Sequence, residues 1–400
     1  MPSLPHVTVA GAIATGTHGS GIAFGNMASQ VSALEIVVAD GSIVRYTRDE
    51  HPHHFDCAAV SLGMLGVVAR VTLDIVPAYE VDQVALKDVP LSTYLQHLEE
   101  FNRSFDSVSA FVDFSKDIVE CLWLRTFLHD DKVSSETTSN LQEIVERYKS
   151  SDPVLFFESG QNVRTTFTAP WDLALPFFTS WNDPPRSGSG RDTNMPNRAL
   201  HSEYFVHVDD AVPALTAVGQ VTKSWPGWGS WDGVNESTAG PVIMNETRFV
   251  CGDSFWLSPC RGRDSVGIHF TFNSDEATVL PLVTELEEAL REFSPRPHWG
   301  KLYTMSPEDL RSAYTDENSL ESYAYAPVGV RGDAVGTLLR FERLREELDP
   351  TRKFSSSSFA RSRLPSPLLN AKTTTPAPRG NRVLERIFGA IAEVKGLFSL

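Results

Sequence analysis

The chain has few of the features that mark disulfide-built, metal-stapled or nucleic-acid-binding proteins. Only four of its 400 residues are cysteine, Cys57, Cys121, Cys251 and Cys260, and no C-x-x-C pair occurs. That spacing gives neither a zinc knuckle nor a disulfide framework; Cys251 and Cys260 flank one loop, and free thiols are the simpler assignment. A basic excess is also missing, since 35 Lys and Arg face 51 Asp and Glu for a net charge of −16. A surface of that balance does not displace counterions from phosphate chains, which excludes nucleic acid as the principal partner. No apolar run approaches bilayer length and no charged-then-apolar leader is seen, so the reading is cytoplasmic, with membrane association not indicated. Neither a Gly-Lys-Ser/Thr loop nor a G-x-G-x-x-G fingerprint occurs, which removes two common nucleotide cradles.

What is present is a large globular composition, 41% hydrophobic and 10% aromatic over 400 residues. That is more than one compact core usually fills, so two domains, or one with a large insertion, are expected. The first segment, MPSLPHVTVAGAIATGTHGSG, is rich in glycine and hydroxyl side chains. Gly11, Gly16, Gly19 and Gly21 permit close backbone approach to a ligand, and Thr15, Thr17 and Ser20 add hydroxyl donors; a tight turn without a ligand fits equally well. VSALEIVVADGSIVRY reads as two strands around Asp40-Gly41. In GVVARVTLDIVPAY, Val71, Leu73 and Ile75 alternate with Arg70, Thr72 and Asp74, which predicts a half-buried strand ended by Pro77. STYLQHLEEFNRSF, SSETTSNLQEIVERYKS and EATVLPLVTELEEALREF are helical candidates, the last with one apolar stripe of Val279, Leu282, Leu286, Leu290 and Phe293. Loops are expected near 180–198 and 225–240, and a Ser-, Pro- and Thr-rich tail from about 355, ending in an amphipathic segment. Three Asn-x-Ser/Thr patterns, at Asn102, Asn235 and Asn245, are common by chance.

Two segments carry the sharpest chemistry. In VIMNETRFV, Glu246 and Arg248 are two apart and leave one face of a strand; in VGIHFTFN, His269 and Thr271 do the same while Ile268, Phe270 and Phe272 face a core. If the two strands pair, Glu, Arg, His and Thr share a face that can grip several hydroxyls and accept a proton; a solvated outer face is the alternative. RPHWGKLY adds Trp299 as an apolar wall and Lys301 as a point charge for an oxyanion or alcohol oxygen. RDEHPHHFDC gathers His51, His53, His54, Asp56 and Cys57 in a loop without metal-site spacing, so no metal is assigned.

LPHVTVAGAIATGTHGSG, SLGMLGVVARVTLDIVPAYE, SEYFV, ETRFV, WLSPCRGRDSVGIHFTF, RPHWGKLY and LREELDPTRKF occur in the order found in the sugar-alcohol (alditol, xylitol) and D-arabinono-1,4-lactone oxidases. The chain resembles this family, FAD enzymes of the vanillyl-alcohol-oxidase type, from residue 1 to about 360. The resemblance implies an α+β fold: part of a PCMH-type FAD-binding domain with an inserted cap domain built on an antiparallel sheet. The boundaries it implies are 1–80 for the remaining FAD-binding part, 81–297 for the cap, 298–362 for a segment returning to the interface, and 363–400 for a flexible tail.

It also implies roles. Thr8, Gly11, Thr15, Gly16, Thr17, His18, Val68 and His298 match FAD-lining positions. Glu246, Arg248, Thr271 and Lys301 match those that hold a polyol or lactone, and Ser3 matches both sets. His269 stands where a proton acceptor is expected, with Arg248 and Lys301 polarising the hydroxyl. Hydride would pass to flavin N5, and oxygen would reoxidise the flavin to give hydrogen peroxide. The family's preceding subdomain, with a histidine that carries flavin covalently in many members, has no counterpart in the 400 residues, so FAD is expected to be non-covalent if bound. A cofactor-free remnant that binds polyols or a partner, and a flavin dehydrogenase using another acceptor, are the alternatives.

Overall fold

The computed structural model describes residues 7–77, 79–128, 139–149, 166–169, 200–225, 240–272, 276–315 and 337–354. Ser3, most of both long loops and the C-terminal tail lie outside them. The described residues mix helices with two antiparallel sheets, an α+β arrangement.

The smaller sheet holds β1 (Val31–Val37), β2 (Ile43–Thr47) and β3 (Val67–Leu73) in the order β2-β1-β3. Asp40-Gly41 turns β1 into β2, with Gly41 at φ +88° and Asp40 Oδ1 accepting from Ser42 N at 2.8 Å. β3 meets the half-buried expectation only in part: Val71 packs against the core, while Leu73 is exposed and Ile75, just beyond it, is 90% exposed. β3 is an edge strand here, and the end of its apolar side beyond Val71 is exposed among the described residues. The His-rich segment is a helix rather than a loop. α2 (Pro52–Ala59) starts with Pro52, whose missing N–H costs nothing in a first turn.

The chain enters the larger sheet at β4 (Tyr79–Pro90). Its other strands are β5 (Ser107–Asp113), β6 (Ile118–Leu128), β7 (Thr166–Ala169), β8 (Leu200–His207), β9 (Val242–Val250), β10 (Ser265–Phe272) and β11 (Arg296–Pro297). Their order is β11-β8-β10-β9-β5-β6-β4-β7. The helix expected over 92–105 breaks at His97 into α3 (Leu91–Gln96) and α4 (Leu98–Ser104). Asn102, buried in α4, and Asn245, buried in β9, are not open to glycosylation.

Helices α6 (Ala211–Thr222) and α7 (Glu276–Leu290) pack together, α5 being Ser139–Tyr148. The α7 stripe of Val279, Leu282, Leu286 and Leu290 is buried as its spacing predicts. Trp225, following α6, meets the rings of Phe270 and Phe272 at 5.6 and 6.4 Å. Each fully buried ring of this kind contributes roughly 1.5–3 kcal/mol over its exposed state. The carboxylate of Glu287 on α7 accepts from Tyr204 Oη on β8 and from Thr304 N, tying this helix to the sheet.

The glycine-rich segment is not a plain turn. It opens with α1 (Val9–Ala14), capped by Thr8, whose Oγ1 accepts from Gly11 N at 3.1 Å. It then bends at Gly16 (φ +67°) and joins the end of β9: Gly21 N donates to Phe249 O at 2.8 Å and Cys251 N to Phe24 O at 2.9 Å. Gly21 has φ +136°, and a Cβ there would stand 2.3 Å from the Asp106 carbonyl, so only glycine fits. Helices α8 (Pro307–Thr315) and α9 (Thr337–Leu348) complete the described elements.

Candidate active site

Three neighbouring strands bring their polar residues to one buried face of the larger sheet. The register sets His269 of β10 between Glu203 of β8 and Glu246 of β9, and Thr271 between His201 and Met244. Alternation puts His201 with Glu203, Glu246 with Arg248, and His269 with Thr271 on one face of each strand, and the pairing of β8, β10 and β9 joins the three faces. The turn after β11 adds His298 and Lys301, anchored where His298 N donates to Glu203 O at 2.9 Å and Leu302 N to His201 O at 2.7 Å. His18 arrives from the glycine-rich segment. Glu203, Glu246, Arg248, Thr271, His269, His298 and His18 are all buried, so the face is not a solvated one.

Glu203 is the centre of the cluster. Its carboxylate accepts from Arg248 Nη2 at 2.8 Å and Lys301 Nζ at 2.6 Å, and lies 3.2 Å from His18 Nε2. Burial would raise its pKa, but Lys301, Arg248 and His18 outweigh that and hold it well below the usual range. Gly267, opposite Arg248, makes the approach possible; a Cβ there would stand 3.1 Å from Glu203 Oε1 and 3.3 Å from the Phe205 ring. Glu246 has Arg248 Nε 3.5 Å from its Oε2. Against the burial that raises its pKa, Arg248 and His269 bring its carboxyl down to about 2. Burial draws Lys301 below its ordinary value, opposed by Glu203. Two carboxylates thus face two cations, all buried but for a partly exposed Lys301.

The histidines differ from these ions. Burial, reinforced by Lys301, lowers His269 to about 4 and His298 well below its usual value. His269 Nε2 meets Thr271 Oγ1 at 3.3 Å and His201 Nδ1 at 3.2 Å, while its Nδ1 lies 3.8 Å from Glu246 Oε2 without a hydrogen bond. His298 Nδ1 accepts from Gly300 N at 3.0 Å, and His18 Nδ1 lies 2.8 Å from Gly19 O. The rings of His18 and His298 are 6.0 Å apart. Ligating atoms of His18, Glu203 and His298 fall within 4.8 Å of one another. Both Glu203 oxygens already carry a cation, which opposes a metal there.

Seven predicted residues therefore converge: Glu246, Arg248, His269, Thr271, Lys301, His298 and His18. Thr15 and Thr17 approach them, their hydroxyls 3.3 Å apart, with Thr15 3.8 Å from where a Cβ on Gly300 would stand. Thr8 and Gly11 are exposed, and Val68 pairs with Ile36 in the smaller sheet. Trp299 is not a pocket wall. It is 1% exposed, stacks on Tyr314 at 5.1 Å and donates through Nε1 to Leu257 O. The His-rich candidates do not converge: His54 stacks on Tyr46 at 5.2 Å, and Cys57 is buried and, like the other three cysteines, free. Glu203 and His201 were not assigned from sequence, although the alternation of HSEYFV puts both on one strand face.

Residues 192–362 match the D-arabinono-1,4-lactone oxidase family. An alditol oxidase of a Streptomyces strain is 35% identical over 362 residues, covering 89% of this chain and 73% of the relative. The chain belongs to this oxidase family. A mouse L-gulonolactone oxidase is 25% identical, with 89% of this chain and 74% of the relative covered. An L-gulono-1,4-lactone dehydrogenase of Mycobacterium tuberculosis is 24% identical, at 87% and 72%. Membership makes the chain an oxidoreductase, and residues 192–362 hold every member of the Glu203-centred cluster but His18. Among the described residues no helix is long and apolar enough to cross a membrane.

Proposed function

We propose that this chain oxidises a CH–OH carbon of a polyol or aldonolactone with FAD as cofactor and oxygen as final acceptor, giving hydrogen peroxide. The observation that carries the reading is the buried polar face of β8, β10 and β9, where two cations, two carboxylates and a neutral histidine meet. Such a face grips a polyhydroxylated substrate from several sides, and relatives named for alditols and for aldonolactones support that class.

The residues present fit a flavin. The turn at Gly16 and the turn at Gly300 abut, and a Cβ on Gly300 would crowd the His298 ring at 3.3 Å, so glycine keeps the space beside Thr15 open. Thr8, Gly11, Thr15, Gly16, Thr17, His18, Val68 and His298 are the residues we assign to FAD, with Ser3 serving both cofactor and substrate from outside the described residues. The bound flavin would supply the two-electron acceptor and the reactivity toward oxygen. We assign residues up to 80 to the cofactor domain, 81–297 to a substrate-binding cap, 298–362 to the returning segment and 363–400 to a tail.

The protein's own part is placement and proton handling. Arg248 and Lys301 polarise the substrate hydroxyl, kept charged and in position by Glu203. His269 takes the hydroxyl proton at Nδ1, the ring nitrogen that carries no hydrogen bond. Glu246 and Thr271 fix the remaining hydroxyls, which converts binding into orientation.

A flavin absorbance spectrum of the purified chain incubated with FAD, before and after acid precipitation, tests the cofactor. Xylitol, sorbitol and arabinono-1,4-lactone then test turnover, with peroxide yield separating an oxidase from a dehydrogenase. Arg248→Ala should lower kcat/KM by at least ~100-fold, the scale of losing a preorganised charge donor. Retained activity in that variant would remove Arg248 from the assignment.

A further inference from the structure

His201 meets the site face without a part in the chemistry assigned so far. It lies opposite Thr271 near the start of β8, partly exposed. Its Nδ1 is 3.2 Å from both His269 Nε2 and Thr271 Oγ1, and those two atoms are 3.3 Å apart. The three form a closed triangle. On the other side of the His269 ring, Nδ1 is buried without a hydrogen bond, and its nearest acidic oxygen, Glu246 Oε2, is 3.8 Å away.

This asymmetry favours one tautomer. A proton on His269 Nδ1 would point toward Glu246 across a distance too long for a hydrogen bond. A proton on Nε2 instead has acceptors within reach, His201 Nδ1 and Thr271 Oγ1. The Nδ1 lone pair is then free. We infer that His201 is a positioning residue for the proton acceptor: it accepts the Nε2–H bond of His269, keeps the Nδ1 lone pair turned to the substrate, and steadies the imidazolium formed on proton transfer. In that step the substrate O–H bond breaks, an N–H bond forms at His269 Nδ1, and the Nε2 proton stays in its bond to His201. This rests on His269 being the acceptor, as proposed above.

The surroundings are consistent. Glu246 and Arg248 of β9, Glu203 of β8 and Lys301 after β11 all act on His269, and Lys301 and Glu203 also act on His201. Burial, with a smaller contribution from His269, lowers His201 to about 3, so both rings are neutral at pH 7 and share one hydrogen bond. Glutamine can replace His201 as an acceptor, while leucine cannot.

The test compares wild type, His201→Gln and His201→Leu, each loaded with FAD, with xylitol and arabinono-1,4-lactone as substrates. His201→Leu should lower kcat by ~10–100-fold with KM changed less than about twofold, and move the acid limb of the kcat/KM profile to lower pH. His201→Gln should restore kcat to within about threefold of wild type. Equal losses in both variants, or none in His201→Leu, would overturn the assignment.

Histidine ring 15N spectra supply a readout that needs no turnover, with the His269 signal identified by its loss in His269→Gln. His269 should be protonated at Nε2 in wild type and in His201→Gln, and a mixture in His201→Leu. Protonation at Nδ1 in wild type refutes the inference even if turnover is normal. Absent turnover in wild type with the Nε2–H pattern intact would instead sink the proposed reaction and leave the pairing standing. Should His201→Leu fail to fold, the spectra of wild type and His201→Gln still decide.

Discussion

Strands β9 and β10 are buried on both faces; one is uncharged and mainly apolar, with Asn245 and Thr247 as its polar members, and the other holds the ions. One carries Phe249, Val266, Ile268, Phe270 and Phe272, and the other carries Glu246, Arg248, His269 and Thr271. The apolar face is held by area removed from water and tolerates any neighbour of suitable shape. The polar face is held by matching: every buried carboxylate on it has a cation, and the cost of desolvating each ion is recovered only while its partner stays. Burial alone therefore does not distinguish core from site. The distinction lies in which residues depend on one particular partner.

That difference can be broken most severely at Glu203. Glu203→Ala leaves buried Arg248 and half-buried Lys301 without the carboxylate both of them touch. It should destabilise the fold by ~3–5 kcal/mol and abolish turnover in whatever remains folded. Urea unfolding monitored by tryptophan fluorescence, alongside activity per folded molecule, measures both effects. Loss of activity with unchanged stability would mean that the cluster is solvated in solution.

Phe270→Ala should cost a similar ~3–5 kcal/mol through the cavity it leaves against Trp225. Here, though, kcat/KM per folded molecule should stay within about threefold of wild type, because no partner on the polar face is orphaned. A large fall in kcat/KM would show that the two faces are mechanically coupled.

The mildest way to sharpen the contrast is pH. His269 titrates at about 4 in the fold against an ordinary 6.5, so between those values the unfolded chain takes up a proton that the folded site refuses. Stability should fall as pH drops through that window, and His201 extends the loss toward about 3. Glu246 acts in the same sense lower down: its stabilisation is complete above the ordinary 4.5 and is lost as pH approaches about 2. β9 and β10 place no titrating side chain on their apolar face, and wild type and Phe270→Ala share the carboxylates packed beyond it, so the Tm difference between them should stay constant from pH 8 to pH 4. Thermal melts across that range check it.

The polar face of β9 and β10 was legible in the sequence because strand period is rigid and its residues are chemically conspicuous. Glu203 and His201 sit on an equally regular strand. Their importance depends on β8 lying beside β10 rather than next to a strand closer in sequence, and no local pattern specifies that. Trp299 lies in a turn, which, unlike a strand, gives no rule for which side each residue takes. For α2, the signal is Pro52 at a first-turn position, which the three neighbouring histidines do not reinforce. β3 shows the converse limit, since alternation reveals that a strand has an apolar side without revealing what covers it.

The strand order of the larger sheet also governs how the molecule is made. β5 must wait for β9, pairing Ser109 with Arg248, and the hydrogen bonds from Asn26 to Asp253 and from Lys353 to Ala39 span 227 and 314 residues. On a ribosome, β4, β5 and β6 emerge long before the strand that completes their edge. Closure of such distant pairings is entropically slow, and unpaired strands collect unwanted partners while they wait. The site is thus assembled late in biogenesis, once residues past Lys301 are free of the ribosome. Yield during recombinant production should depend more on growth temperature and chaperone supply than on the stability of the finished protein.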